Sequence, residues 1–261
     1  MSTATTLSRT RAARIHTVTL DHPWRWLAAG WRDAAAAPAV SLAWGAPFAA
    51  AGFLLLSGLQ AAGLDYLIVP LGLGFVLIGP LAAVGLYETS RRRQAGARAS
   101  LAASLTGMTR NTGQVALLGV FLMLAFIAWI RLAMLEFMLF FAASPPPLDG
   151  LYRALLTSDR GAAFLLAGGV TGGILAILVF AMTVVAVPML IDRPQCDAVT
   201  AMLTSIEACR RNWMVMGLWA FLIGLATLAG LTLLFVGLVV ALPVIGHASW
   251  HAYKDLVAGE S

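Results

Sequence analysis

WMVMGLWAFLIGLATLAGLTLLFVGLVVALPVIGHASW, residues Trp213–Trp250, is apolar almost throughout and holds no acidic or basic residue other than His247. A straight helix over it, at about 1.5 Å per residue, would run roughly twice the ~30 Å thickness of a bilayer's hydrocarbon core. The stretch must fold back on itself. Leu228-Ala229-Gly230 is the expected turn, giving helices over 213–229 and 231–252.

Four further apolar blocks, Ala39–Gly63, Tyr66–Tyr87, Val115–Phe141 and Ala162–Ile191, are each long enough for one crossing. The spans are expected near 39–63, 66–88, 113–141 and 162–191. The predicted fold is all-α: a polytopic membrane protein of six transmembrane helices, arranged as three hairpins that open to the cytoplasm. Composition agrees, with 60% apolar residues, 11% charged residues and a mean hydropathy of +0.86. Soluble domains carry about a quarter charged residues, so too few are present to cover a water-facing surface.

The net charge of +5 reads as orientation and not as nucleic-acid binding. Arg9, Arg11, Arg14, Arg25, Arg32, Arg91, Arg92, Arg93, Arg98, Arg110, Arg193, Arg210, Arg211 and Lys254 fall on one side of the six spans. The other side receives Arg153 and Arg160, with Arg131 near its border. Basic loops stay inside, so a bacterial inner membrane with both termini cytoplasmic is expected. Residues 1–20 lack the apolar core of a cleavable signal and read as a disordered cytosolic tail. The membrane domain then spans 21–256, with a short tail over 257–261. Trp24, Trp26, Trp31, Tyr87, Trp213, Trp250 and Tyr253 fall at the inner boundary, and Tyr66, Trp129 and Tyr152 near the outer one, as interfacial anchors do. Ser144-Pro145-Pro146-Pro147 reads as a stiff outer spacer.

Three times a short amphipathic segment precedes a hairpin: Trp24–Ala35, Ser100–Met108 and Asp197–Cys209. Their apolar residues, Leu27/Trp31, Leu101/Leu105 and Met202/Leu203/Ile206, recur at helical spacing, which predicts interfacial helices with that face towards lipid. A parallel internal repeat follows, about an axis along the membrane normal.

Few residues invite a chemical role. Gly168, Gly169, Gly172 and Gly173 form overlapping G-x-x-x-G patterns, which predict close helix packing and allow a homo-oligomer. Pro47, Pro80, Pro188 and Pro243 each fall within an expected span and should kink it. Arg131 and Glu136 lie about 24 and 32 Å above Val115, at the outer interface. Cys196 and Cys209 share no ligand spacing and make no disulfide framework. His247 and His251, four apart, share a helical face and offer the one candidate site for haem or a divalent metal, although no cofactor is expected. Glu88 follows Pro80, and His251 follows Pro243, at the same interval. With Arg92 and Asp192 they are the expected polar cluster at the inner mouth, where Glu88 should meet a histidine or arginine of another helix. Sequence motifs for zinc proteases, serine hydrolases, nucleotide phosphates and dithiol chemistry are absent.

Gly79-Pro80 with Gly85-Leu86-Tyr87-Glu88 and Ser90-Arg91-Arg92, then Val187-Pro188-Met189-Leu190-Ile191-Asp192-Arg193, then Leu242-Pro243-Val244-Ile245-Gly246-His247 with Trp250-His251, carry a resemblance. The chain resembles, over roughly residues 20–256, a bacterial family of predicted integral membrane proteins, domain of unknown function 2189. The resemblance implies a six-helix inner-membrane protein and brings no activity with it. The expected function is therefore non-enzymatic, in membrane assembly, envelope homeostasis or a partner complex, with anionic headgroups meeting the basic face. Two alternatives stand beside it: a small transporter or lipid-handling protein with a proline-kinked cavity, and a haem- or metal-binding redox component using His247 and His251.

Overall fold

A computed structural model describes residues 14–64, 67–144, 146, 151–233 and 235–257. Among them the chain is helical, without a strand. In order the helices are α1 (His22–Ala36), α2 (Pro38–Ala61), α3 (Ile68–Leu77), α4 (Gly79–Ala82), α5 (Val84–Gln94) and α6 (Leu101–Leu105), then a 3-10 turn at Thr106–Thr109. There follow α7 (Thr112–Phe141), α8 (Leu151–Thr157), α9 (Asp159–Thr183), α10 (Ala186–Asp192), α11 (Ala198–Arg211), α12 (Trp213–Thr232) and α13 (Leu238–Leu256). Among the described residues four stretches are long and apolar enough to cross a membrane: α2, α7, α9 with α10, and α12.

The second and sixth expected spans explain the shortfall. Residues 68–94 form three helical pieces, parted at Ile78 and Ala83 around Gly79-Pro80. Proline lacks an N–H and sits best in a first turn, so Pro80 starts α4 instead of bending a continuous helix. Pro188 acts likewise in the first turn of α10, after the break at Val184–Val185. Pro47 and Pro243 lie inside unbroken helices. The last helix, α13, is continuous but ends in polar turns that include His247, His251 and Lys254.

The expected turn at Leu228-Ala229-Gly230 is corrected. Helix α12 runs through it, and the chain reverses after Thr232, where Phe235 takes a φ of 66°. Gly230 serves close packing: a Cβ there would come within 2.6 Å of Leu238 Cδ2. Glycine signals a turn or a near approach equally well, and here it is the second.

All three amphipathic segments are helical. Helix α6 packs on α5 and α11 on α10, each on the helix before it in the chain. Helix α1, the first among the described residues, packs on α13. The residues that open α2, α7 and α12, namely Ala37, Asn111 and Asn212, share one backbone conformation, with φ/ψ of −134/56°, −148/54° and −118/36°. Of the residues assigned to lipid by spacing, Trp31, Leu101, Leu105, Leu203 and Ile206 are exposed, whereas Leu27 and Met202 pack against the core. In α11 the opposite face, with buried Ala198, Ala201 and Ala208, makes the helix contacts.

Helices α5, α10 and α13 pack on one another at the end that carries the arginines, and the main core gathers there around Trp26, Leu86, Leu190, Trp219 and Trp250. Tyr87, Trp250 and Tyr253 are therefore core residues and not anchors, whereas Trp24, Trp31 and Trp213 are exposed. Beyond the breaks, α3 and α9 both turn to α7. A partly enclosed apolar cavity of about 260 Å³ lies between α3, α9, α12 and α13.

Residues 14–20 are not a free tail. His16 N–H donates to Leu256 O, Val18 N–H donates to Asn212 Oδ1, and Asn212 Nδ2 donates to His16 O at 3.0 Å. Residues 1–13, Tyr66, Pro145 and Pro147, on which further expectations fell, lie outside the described residues.

Candidate functional site at the basic end

Helix α1 buries Pro23, Trp26, Gly30 and Asp33, one residue per turn, against α13. The contact depends on Gly30, where a Cβ would lie 2.5 Å from Val244 O and 2.6 Å from Ala248 N. This near approach carries Asp33, the next residue on the stripe, in between α5 and α13. Helix α2 comes equally close one turn along, with the Cβ position of Gly45 2.3 Å from Val239 O, and so delivers Ser41.

Asp33 receives three side-chain hydrogen bonds. Ser90 Oγ donates to Oδ2 at 2.6 Å, His251 Nε2 lies 3.0 Å from Oδ2, and Arg93 Nε donates to Oδ1 at 3.1 Å. Ser90 Oγ also lies 2.8 Å from His247 Nδ1, and His247 Nε2 lies 3.1 Å from Ser41 Oγ. Gln94 bridges the ends of α5 and α13, with Nε2 3.3 Å from His251 Nδ1 and Oε1 accepting from Trp250 Nε1.

Donor counting assigns the tautomers. The Ser90 hydroxyl proton goes to Asp33, so His247 Nδ1 must donate to Ser90 and Nε2 must accept from Ser41. His251 donates through Nε2 to Asp33 and accepts at Nδ1 from Gln94. Two chains, Ser41→His247→Ser90→Asp33 and Trp250→Gln94→His251→Asp33, thus end on one carboxylate. Burial would push the Asp33 carboxyl up, but the hydrogen bonds from His251, Ser90 and Arg93 outweigh it and hold it well below the usual carboxylate range.

Glu88 heads a second cluster. It is fully buried, Arg91 grips it bidentately through Nε and Nη2 at 2.8 Å each, and Arg92 Nε donates at 2.7 Å. Arg110 stands 3.9 Å away and donates to Ile191 O, the last turn of α10. Gly107 allows the 3-10 turn to lie on α5, its Cβ position being 2.7 Å from Glu88 Cβ. Asp192 forms a third group, accepting from Tyr253 Oη at 2.8 Å and Lys254 Nζ at 3.1 Å.

The structure thus separates what spacing had joined. Glu88, Arg92, Asp192, His247 and His251 all lie at the basic end, but Glu88 bonds arginines of its own helix and no histidine. The two histidines share a helical face yet bond different partners, and among the described residues no group of three or more His, Cys, Asp or Glu side chains is placed to hold a metal. A metal on His251 Nε2 would have to displace Asp33. Sequence reasoning missed Asp33, Ser41, Arg93 and Gln94, and it quoted Ser90 without a role. The available signal was Gly30 and Asp33 continuing the Pro23/Trp26 stripe of α1.

The four glycines divide in the same way. Gly172 lies under Trp129, its Cβ position 2.8 Å from the ring, and Gly168 leaves room for Glu136 Oε2 at 3.3 Å. Gly169 and Gly173 have nothing within 4 Å, which corrects the expectation that all four pack within the chain. Both are exposed, about 100° round α9 from the pair that meets α7.

Residues 68–192 match the model of a family described as "Predicted integral membrane protein (DUF2189)". The match takes in the first motif of the resemblance and all of the second but Arg193, and leaves the third, around His247, outside it. The protein is an integral membrane protein with several apolar helices. No curated protein and no solved structure matches the chain.

Proposed function

We infer that this is a six-span bacterial inner-membrane protein with both termini cytoplasmic, acting without catalysis as a rigid basic platform for envelope assembly or a partner complex. The observation that carries the reading is closure of the polar network. Ser90, His247 and His251 spend their hydrogen-bonding capacity on one another and on Asp33, Ser41 and Gln94. A nucleophile or general base needs a lone pair or proton directed at a substrate. These groups direct theirs at each other, so the network supports a latch joining α1, α2, α5 and α13. Anionic headgroups fit the exposed Arg25, Arg32 and Arg98 around it.

The second and sixth spans rest on α3–α5 and α13. Reporter fusions test the topology: fusions before Met1 and after Ser261 should read cytoplasmic, and one at Pro146 should read external. A periplasmic C-terminus would remove a span. Metal analysis and an absorbance spectrum of the purified protein test the latch, since bound haem or stoichiometric metal would return the histidines to ligand duty.

A lipid-handling role is the second reading, and the cavity favours it over transport of a polar solute. Its walls are side chains such as Phe48, Phe75, Phe180 and Leu242, and among the described residues no charged one lines it.

A further inference from the structure

The cavity holds two hydroxyls with nothing to bond. Tyr87 and Ser249 both line it, are 4% and 5% exposed, and have no hydrogen-bond partner among the described residues. Helical hydroxyls in lipid ordinarily turn back to the carbonyl one turn earlier. Thr183, on the same wall, does so to Val179 O at 2.7 Å, and Thr89 does so to Gly85 O at 2.7 Å. Ser249 does not. Neither oxygen is sealed in as Trp219 Nε1 is, so both can be reached, and in an apolar cavity an unpaired hydroxyl is costly; a partner from outside the chain is the physical expectation.

We propose that the cavity binds a neutral lipid whose buried end carries a carbonyl oxygen, accepted as partner by the Tyr87 and Ser249 hydroxyls, with its hydrocarbon along the Phe48, Phe75 and Leu242 wall. This rests on the lipid-handling reading and names the class of ligand. The absence of a lining cation or anion disfavours a carboxylate or phosphate inside the cavity. A neutral acceptor suits two O–H donors. The cavity of about 260 Å³ lies near the lower bound of ligand pockets, enough for the polar end and the first part of a chain. The stacked rings of Phe48 and Phe75, 4.3 Å apart, offer a flat aromatic surface to a ring-bearing ligand. Two sources share the chemistry, an isoprenoid-type quinone and a diacylglycerol.

The test measures binding of three probes to the full chain in detergent by thermal stabilisation: a short-tailed benzoquinone, a short-chain diacylglycerol and dodecane. One or both carbonyl probes should stabilise the wild type, and Tyr87→Phe with Ser249→Ala should weaken that binding roughly tenfold or more while leaving dodecane unchanged. Stabilisation by the quinone alone assigns the site to quinones, and by diacylglycerol alone to glycerolipids. Equal binding of carbonyl probes to wild type and double variant would overturn the carbonyl site yet leave lipid handling standing. Failure of all three probes, with no lipid recovered by extraction of the purified protein, would sink both. Gly224→Phe, at a lining position with nothing within 4 Å of its Cβ site, should abolish binding without loss of folded protein.

Discussion

The two halves of the bundle are held by different means. At the basic end α5, α10 and α13 converge, and Asp33, Glu88 and Asp192 are each hydrogen-bonded by side chains from the chain itself. In the other half, α2, α7 and α12 bury only 28%, 22% and 22% of their most apolar windows inside the protein, against 56% for α9 with α10. Lipid must cover the remainder, and it adds no hydrophobic drive to helix association. Stability should therefore be concentrated where the polar groups close, and the opposite half should tolerate change wherever its residues meet lipid.

The largest expected effect tests the closed end. Asp33→Ala strands His251, Ser90 and Arg93 around an empty site and should lower stability by about 3 kcal/mol or more, read as thermal unfolding in detergent. A loss under about 1 kcal/mol would mean the latch is not where stability resides. The pH dependence has a definite sign. Because the folded-state pKa of Asp33 is depressed, its contribution is complete above the ordinary carboxylate range and is lost only as pH falls towards the lowered value. Asp33→Asn should remove that strongly acidic contribution.

Next comes a contrast within α9. Gly172→Leu must push Trp129 aside and should cost about 1–3 kcal/mol. Gly169→Leu meets nothing in the protein and should unfold with the wild type. Should Gly169→Leu instead dissociate an oligomer on a sizing column, that lipid-facing side is an interface between copies. Equal losses of monomer stability would break the division between halves.

Smaller again is Asn212→Ala, which deletes the bonds to His16 and Val18. It should cost about 1–2 kcal/mol and expose residues 14–20 to protease before the rest unfolds. Smallest is Glu207→Gln. Hydrogen bonds from Arg210 and Arg211 lower the Glu207 pKa to about 2, but the group stands in solvent, so no measurable change in unfolding is expected.

The membrane helices were legible because hydrocarbon thickness writes itself into the chain as block length. Helices α2 and α7 begin and end within a few residues of the apolar blocks that foretold them. The reversal after α12 was misplaced because Gly230 is a packing glycine, and no residue at 233–237 bears a turn signature that outweighs it. At the site, His247, His251 and Glu88 stood out as costly polar residues beside apolar blocks. Their partners did not, because His251 meets Asp33 across 218 residues and His247 meets Ser41 across 206. Contacts of that range leave no local periodicity. Only the geometry of Gly30 and Gly45, which let α1 and α2 touch α13, brings them together.

The packing of α1 on α13 has a consequence for how the protein is made. Ile15 pairs with Val257, and Trp26 donates to Asp255, so the first of the described helices finds its partner only in the last of them. Until α13 is synthesised, Asp33 waits beside Ser90 and Arg93 without His251, and Ser41 waits without His247. Domains commonly fold from the N-terminus as they emerge; here α13 is the closing piece, and a chain that stops before Leu238 leaves α1 and α2 without their partner.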